Sequence, residues 1–222
     1  MAIKAVVFDF DGTLMDTESC AYDAFCGVYE EYGQQLLLEQ WAVGIGTVGG
    51  QYDPYAELEK LVGEKLDLAA VKARFEEAHH EHLTNVTLRP GVKERLEEAR
   101  CLGLSIGLAS SSEREWVERH LRQQGIRDYF EAVHTSDDVE RVKPDPALYR
   151  LALKSLDARG SETVAVEDSV NGLRAAKAAG LYGLVVPNRV TAHMNFSEAE
   201  LVVASLADQP FEQLFARLKQ DN

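Results

Sequence analysis

The chain is poor in cysteine, in basic side chains and in long apolar runs, and each shortage removes a class of protein. Its cysteines are Cys20, Cys26 and Cys101. An odd count without metal-ligand spacing argues against a disulfide framework or a zinc site, and for buried or half-buried thiols. Basic side chains number 23 against 37 acidic ones, a net charge of -14. A surface of that sign repels nucleic-acid phosphates and anionic lipid heads, so neither nucleic acid nor a membrane is an expected partner. An anionic substrate would need a bound cation and a few local donors to invert the potential. No apolar run approaches the ~18 residues of a membrane span. Asp9, Asp11 and Asp16 interrupt the apolar start that a secretory signal would need, so the expected location is the cytoplasm.

What is present is 222 residues, 45% hydrophobic and 27% charged, an ordinary globular balance. That length suits one large domain or a domain carrying a smaller insertion. A monomer or weak homodimer is the expected assembly.

Residues 4–10 are short, apolar and β-branched and stop at Asp11-Gly12, which predicts a buried strand ending in a turn. Further strands are predicted at 104–109, 132–135, 163–166 and 183–186, with 201–203 as an edge candidate. Between them, apolar residues at three- and four-residue spacing predict helices over 91–100, 113–124, 146–156 and 170–179. Pro146 suits a first helical turn, and Gly125 and Gly180 suit helix ends. Strand and helix alternate from residue 91 onward. The expected fold class is therefore α/β: a Rossmann-like parallel sheet with helices on both faces, binding ligands beyond the carboxyl ends of its strands.

Residues 16–86 break the rhythm, with helical patterns near 17–32, 54–62 and 68–83 and no convincing strand. They predict an inserted helical cap on a core made of 1–15 and 87–222, hinged near 15–17 and 86–90. Residues 219–222 are expected to form a frayed tail.

The sharpest signal is Asp9-Phe10-Asp11-Gly12-Thr13, directly after an apolar strand. In extended backbone, two-residue spacing puts Asp9 and Asp11 on one side and Phe10 on the other. Two carboxylates crowded at the end of a buried strand repel each other unless a cation sits between them or one holds a proton. Hard cations favour oxygen ligands, and magnesium-assisted phosphoryl transfer needs this arrangement. The plainer reading is a pair that solvates a strand end and starts a turn.

Three further features favour the first reading. Glu167-Asp168 closes another predicted strand and could complete the shell of a cation. Ser110-Ser111-Ser112 lies between a strand and a helix, where a hydroxyl and helix-start N–H groups can receive an anion. Lys143 sits in Val142-Lys143-Pro144-Asp145-Pro146, a stiff loop that can hold its ammonium in place. Each feature alone is commonplace, but together in this order they are not.

Motif by motif, these residues resemble the haloacid dehalogenase superfamily of aspartate-nucleophile hydrolases. The run from Asp9 to Thr13 is similar to its first signature, Ser110 to its second, Lys143 to its third and Glu167-Asp168-Ser169 to its fourth. Segment 16–86 resembles the cap of the β-phosphoglucomutase and phosphoglycolate-phosphatase branch, and the runs 8–18 and 166–172 are similar to that branch in detail.

The resemblance implies that Asp9 attacks phosphorus, while Asp11 protonates the departing alcohol and then deprotonates the water that releases phosphate. Magnesium is the implied cofactor, held by Asp9, the backbone carbonyl of Asp11 and Asp168, with Glu167 as an outer or auxiliary ligand. Lys143, Ser110 and the N–H groups around Ser111 would stabilise the transferring phosphoryl oxygens. Thr13 and Asn171 complete the candidate substrate-binding set. Asn171 has two readings, a brace for Lys143 or the acidic pair and a helix-start cap.

The expected activity is hydrolysis of a small phosphorylated metabolite, of sugar-phosphate or nucleotide type, through an aspartyl-phosphate. The alternatives are a phosphosugar mutase and a non-catalytic binding module. Asp11 argues against a dehalogenase, which has no alkoxide to protonate. None of Lys60, Lys65 and Lys72 lies in the first cap helix, where a phosphonatase would need its lysine. Ala21 stands where a mutase of this branch would carry histidine, and loop 44–52 holds no arginine.

Some patterns are expected to carry no chemistry. Gly44-Ile-Gly46-Thr-Val-Gly49-Gly50 spells a dinucleotide fingerprint without the preceding strand, so a mobile cap loop or a plain connector is expected. His79, His80 and His82 read as the solvated end of a helix. Trp41, Tyr52 and Tyr55 suit either a pocket lining or the core of the cap.

Overall fold

The computed structural model describes residues 2–46 and 52–218. The expected tail at 219–222 and residues 47–50 of the glycine-rich loop lie outside the described residues. Six strands form one sheet: β1 (Ala5–Phe8), β2 (Ser105–Ala109), β3 (Ala132–His134), β4 (Thr163–Glu167), β5 (Tyr182–Val185) and β6 (Leu201–Val202). Their order is β3-β2-β1-β4-β5-β6 and every pair is parallel. The chain leaves β1 toward β2 on one side and reaches β4 on the other, so the crevice of this open sheet falls at the carboxyl end of β1.

Between β1 and β2 the chain forms α1 (Thr17–Glu31), α2 (Leu38–Ala42), α3 (Pro54–Val62), α4 (Leu68–Leu83) and α5 (Val92–Cys101). Downstream come α6 (Arg114–Gln123), α7 (Ala147–Ser155), α8 (Val170–Ala178) and α9 (Phe211–Leu218). Alternation along the strands builds both faces. Val6, Phe8, Ile106 and Leu108 pack with Val92 and Leu96 of α5, Val117 of α6 and Phe211 of α9. Ala5, Val7 and Ala165 pack on the other face with Leu148 and Tyr149 of α7 and Ala175 of α8. No helix among the described residues is long and apolar enough to cross a membrane.

Helices α1, α3 and α4 share a core of their own, with Phe25, Val28, Tyr29, Leu58 and Val71 buried. Trp41, Tyr52 and Tyr55 pack around it, so they belong to that core rather than to a pocket lining. Phe25 and Phe75 stack with centroids 4.0 Å apart. Asp16, Asp53 and Asp67 cap α1, α3 and α4 by accepting from first-turn N–H groups, each contact worth about 1 kcal/mol. The outgoing and returning chains run side by side: Met15 bridges Leu88, and Arg89 N donates to Leu14 O at 2.8 Å.

Element boundaries fall within a residue or two of expectation, with informative exceptions. β1 stops at Phe8 rather than residue 10, because Phe10 O accepts from Thr13 N and Leu14 N and Gly12 turns left-handed at φ 79°. Pro146 caps α7 rather than entering its first turn. Helix α9 was not anticipated, although Phe211, Leu214, Phe215 and Leu218 carry helical spacing and are all buried. Helix α2 has 5 residues, too few for periodicity to reveal.

Candidate active site

Register places the acids. Phe8 pairs with Val166, so the residues that come next, Asp9 just after β1 and Glu167 at the end of β4, emerge side by side, with Asp168 following. Carboxylate oxygens of Asp9, Glu167 and Asp168 lie within 4.8 Å of one another, and all three residues are buried. Lys143 reaches them from its loop, donating to Asp9 Oδ1 at 2.5 Å and Glu167 Oε1 at 2.7 Å. Tyr149 of α7 also donates to Glu167 Oε1, at 2.5 Å. Asn188 Nδ2 donates to Asp168 Oδ2 at 2.7 Å, while its own Oδ1 is fixed by Val190 N and Thr191 N.

Fully ionised, three carboxylates against the Lys143 ammonium would leave two negative charges in a buried site. Burial pushes the Glu167 carboxyl up to about 7, although Lys143 pulls it down. Burial, then the neighbouring Asp9 and Glu167, hold Asp168 well above the usual carboxylate range. Burial also raises Asp9 against the opposing pull of Lys143. Burial works against the Lys143 ammonium, but Asp9 and Glu167 outweigh it and hold its pKa above the ordinary value.

The residues fit a divalent hard cation on three counts. Once ionised, the acids carry two more charges than Lys143 offsets, the donor set is all oxygen, and Asp9 Oδ2 is buried without a partner. Gly12 closes the cradle, since a Cβ there would sit 2.2 Å from Asp168 Oδ2. Its carbonyl accepts from Arg89, whose guanidinium also donates to Val186 O and Pro187 O and so ties the turn to the end of β5.

Asp11 does not join this cluster. At the start of the turn its Oδ1 accepts from Thr17 Oγ1 at 2.8 Å and Trp116 Nε1 at 2.9 Å, and its Oδ2 accepts from Ser112 Oγ at 2.6 Å. It lines a cavity of about 1230 Å³ between the sheet end and the helical insertion, with Glu18, His79, Trp116 and Lys143 also in the wall.

Other candidates are distributed around this frame. Ser110 Oγ accepts from Ser112 N at 3.0 Å, and Thr13 is buried in the turn after Asp9. Ser111 Oγ donates to Gly46 O at 3.1 Å, and Asn171 Nδ2 to Ile45 O at 2.8 Å. Asn171 therefore ties α8 to the insertion, and neither braces Lys143 nor caps its helix, whose cap is Ser169.

His79 differs from the solvated reading. It is half-buried, lines the cavity, and stacks between Phe75 and Trp116. Sequence reasoning also missed Arg89, Trp116, Tyr149 and Asn188. No short motif holds them, and for Tyr149 the helical period signalled only core.

Comparison with known proteins agrees with this architecture. A model of the haloacid dehalogenase-like hydrolase family matches residues 6–186. YhcW of Bacillus subtilis (strain 168) is 42% identical over 220 residues, covering 99% of this chain and 100% of that one. The phosphorylated carbohydrates phosphatase of Thermotoga maritima is 34% identical over 194 residues, covering 82% of this chain and 86% of that one. Among solved structures, CbbY from Rhodobacter sphaeroides in complex with phosphate has a TM-score of 0.72 at 32% identity, covering 93% of this chain and 96% of that one. Motifs, sheet order and relatives converge, and the chain belongs to the haloacid dehalogenase-like hydrolase family.

Proposed function

We propose that this phosphoric monoester hydrolase is a magnesium-dependent phosphatase that cleaves a small phosphorylated metabolite through an aspartyl-phosphate on Asp9. One observation carries the reading: Asp9 has one oxygen neutralised by Lys143 and the other buried without a partner, beside two further acids.

Asp9, Asp168 and the carbonyl of Asp11 would hold the ion, with Glu167 auxiliary because Lys143 and Tyr149 already engage it. When bound, Mg2+ supplies the missing positive charge and polarises the phosphoryl oxygens. Lys143 offsets charge on Asp9 and on the transferring group, and it orients the nucleophile by a short contact. Asp11 protonates the leaving alcohol and then takes a proton from water. Thr17, Ser112 and Trp116 fix its carboxylate on the cavity side for that work. Ser110, Ser111 and Thr13 shape the phosphate end. Segment 16–86 acts as the cap over a core of 1–15 and 87–222.

The relative named for phosphorylated carbohydrates supports a sugar phosphate as substrate. A phosphate-release screen over metabolite esters with Mg2+ tests the reading. Asp9→Asn should cost ~10⁴-fold or more, as removal of a covalent nucleophile does. Chelation of Mg2+ should abolish turnover. Retained activity in either arm overturns the proposal.

A further inference from the structure

Strand β5 ends at Val185, and the loop that follows it, 186–194, touches both the acid cluster and the helical insertion. One contact is Asn188, a buried side chain whose Nδ2 donates to Asp168 Oδ2 at 2.7 Å and to Gly12 O at 3.4 Å. The other is Val190, fully buried among residues of the insertion: Ala42 and Ile45, with Tyr22 and Trp41 packed against them.

Backbone hydrogen bonds join these two contacts into one piece. Val190 N and Thr191 N donate to Asn188 Oδ1 at 3.0 and 3.1 Å, and Asn188 N donates to Thr191 Oγ1 at 2.9 Å. Ala192 N donates to Asn188 O, also at 2.9 Å. An amide whose oxygen holds two backbone N–H groups cannot flip or swing without breaking both bonds. The direction of Asn188 Nδ2 is therefore set by the backbone at 190–191, and that backbone by where the Val190 side chain sits. Arg189 adds a second hold on the insertion, donating to both carboxylate oxygens of Asp23 at 2.6 and 2.7 Å.

We propose that Asn188 is the positioning residue for Asp168 as an ion ligand, and that Val190, seated in the insertion, positions Asn188. The proposal rests on the ion site of the phosphatase reading and goes beyond it: affinity for Mg2+ depends on how the insertion seats on loop 186–194, through a side chain that touches neither ion nor substrate. Partners that orient a metal ligand carry roughly 10–100-fold of its affinity. Linkage is reciprocal, so the bound ion holds the insertion to the loop by the same factor that the seated insertion adds to ion affinity.

Mg2+ affinity, read by calorimetry or, where binding is weak, from the rise in melting temperature with Mg2+ concentration, tests the proposal. Asn188→Ala should weaken binding by ~10–100-fold. Val190→Ala should weaken it by ~5-fold or more. Val190→Thr keeps the shape but puts a hydroxyl in the apolar pocket, and should act in the same direction if the alanine variant does not fold. In an Asn188→Ala background, the Val190 change should move affinity by less than ~2-fold, because its route to Asp168 is gone. Val133→Ala makes the same truncation in β3, at the far edge of the sheet, and should leave affinity within ~2-fold of wild type.

Wild-type affinity in the Val190 variants overturns the proposal, and so does a Val190 effect that persists in full without Asn188. A loss as large in Val133→Ala traces the effect to general destabilisation and overturns it as well. Those results leave the phosphatase reading standing, whereas a wild-type protein that binds no Mg2+ removes the ion site and this proposal together.

Discussion

The indole Nε1 of Trp116 donates to Asp11 Oδ1 at 2.9 Å, joining helix α6 to the carboxylate proposed as acid and base. The same ring lies 4.0 Å from His120 and stacks on His79 at 6.1 Å, so one side chain touches the core, the insertion and the reacting group. Trp116→Phe keeps the ring and deletes the donor. A hydrogen bond to a charged group is worth ~1.5–3 kcal/mol, so kcat should fall ~10-fold while KM moves less than ~2-fold. Steady-state kinetics with the melting temperature as control checks this. An equal fall in kcat and rise in KM would point to general distortion.

The acidic cluster should be stabilised by its ion and strained without it. Asp168→Asn removes one of three crowded buried acids, so the metal-free protein should melt at or above the wild-type temperature. The same change should erase the rise in melting temperature that Mg2+ gives the wild type. Thermal melts with EDTA and with Mg2+ measure both effects.

The pH dependence of that ion effect follows from Glu167, whose folded pKa of about 7 exceeds its ordinary 4.5. The folded carboxyl holds its proton more tightly than the unfolded one. Metal-free stability is therefore fully present below 4.5 and declines as pH rises toward about 7. Ion binding requires the deprotonated acids, so the gap between Mg2+ and EDTA melts should widen across that window. A constant gap would refute the assignment.

His79 should leave a separate mark. Its pKa is lowered from 6.5 to about 4 by burial and by neighbouring imidazoles, so the folded state resists protonation. Stability from this group is complete above 6.5 and lost as pH falls toward about 4. With partial solvent screening allowed for, the loss is ~1–2 kcal/mol. His79→Phe, which can keep the stack between Phe75 and Trp116, should flatten the acid limb of denaturant titrations in EDTA by that amount.

Two glycines separate backbone strain from crowding. Gly103 has φ 70° and nothing within 4 Å of an added Cβ, so Gly103→Ala should cost only the left-handed penalty of ~1–2 kcal/mol. Gly12 has φ 79° and Asp168 Oδ2 at 2.2 Å. Gly12→Ala should cost more, and it alone should abolish the Mg2+ effect in thermal melts.

The sheet was legible because its central strands β1, β2 and β4 are buried on both faces and read as short apolar runs that end at polar residues. Asp9, Glu167 and Asp168 were legible because each ends or follows a strand, Lys143 because it opens the Lys-Pro-Asp-Pro loop, and the topology brings all four together. The direction of Asp11 was not, because the period-two argument ends with the strand at Phe8 and the chain turns from Phe10, whose carbonyl accepts from Thr13 N and Leu14 N. Trp116 and Arg89 escaped for a related reason. Their partners, Asp11 and the Gly12 carbonyl, lie 105 and 77 residues away, and no local pattern encodes such a pairing.

The Met15–Leu88 bridge makes the helical insertion a detour with its entrance and exit zipped together. If the insertion acts as the proposed cap, substitutions within that detour should redraw what the enzyme admits without shifting the register of Phe8 on Val166, which aligns the acids. A head exchanged at this seam between two such proteins should carry its substrate preference with it and leave the hydrolytic machinery of the recipient in place.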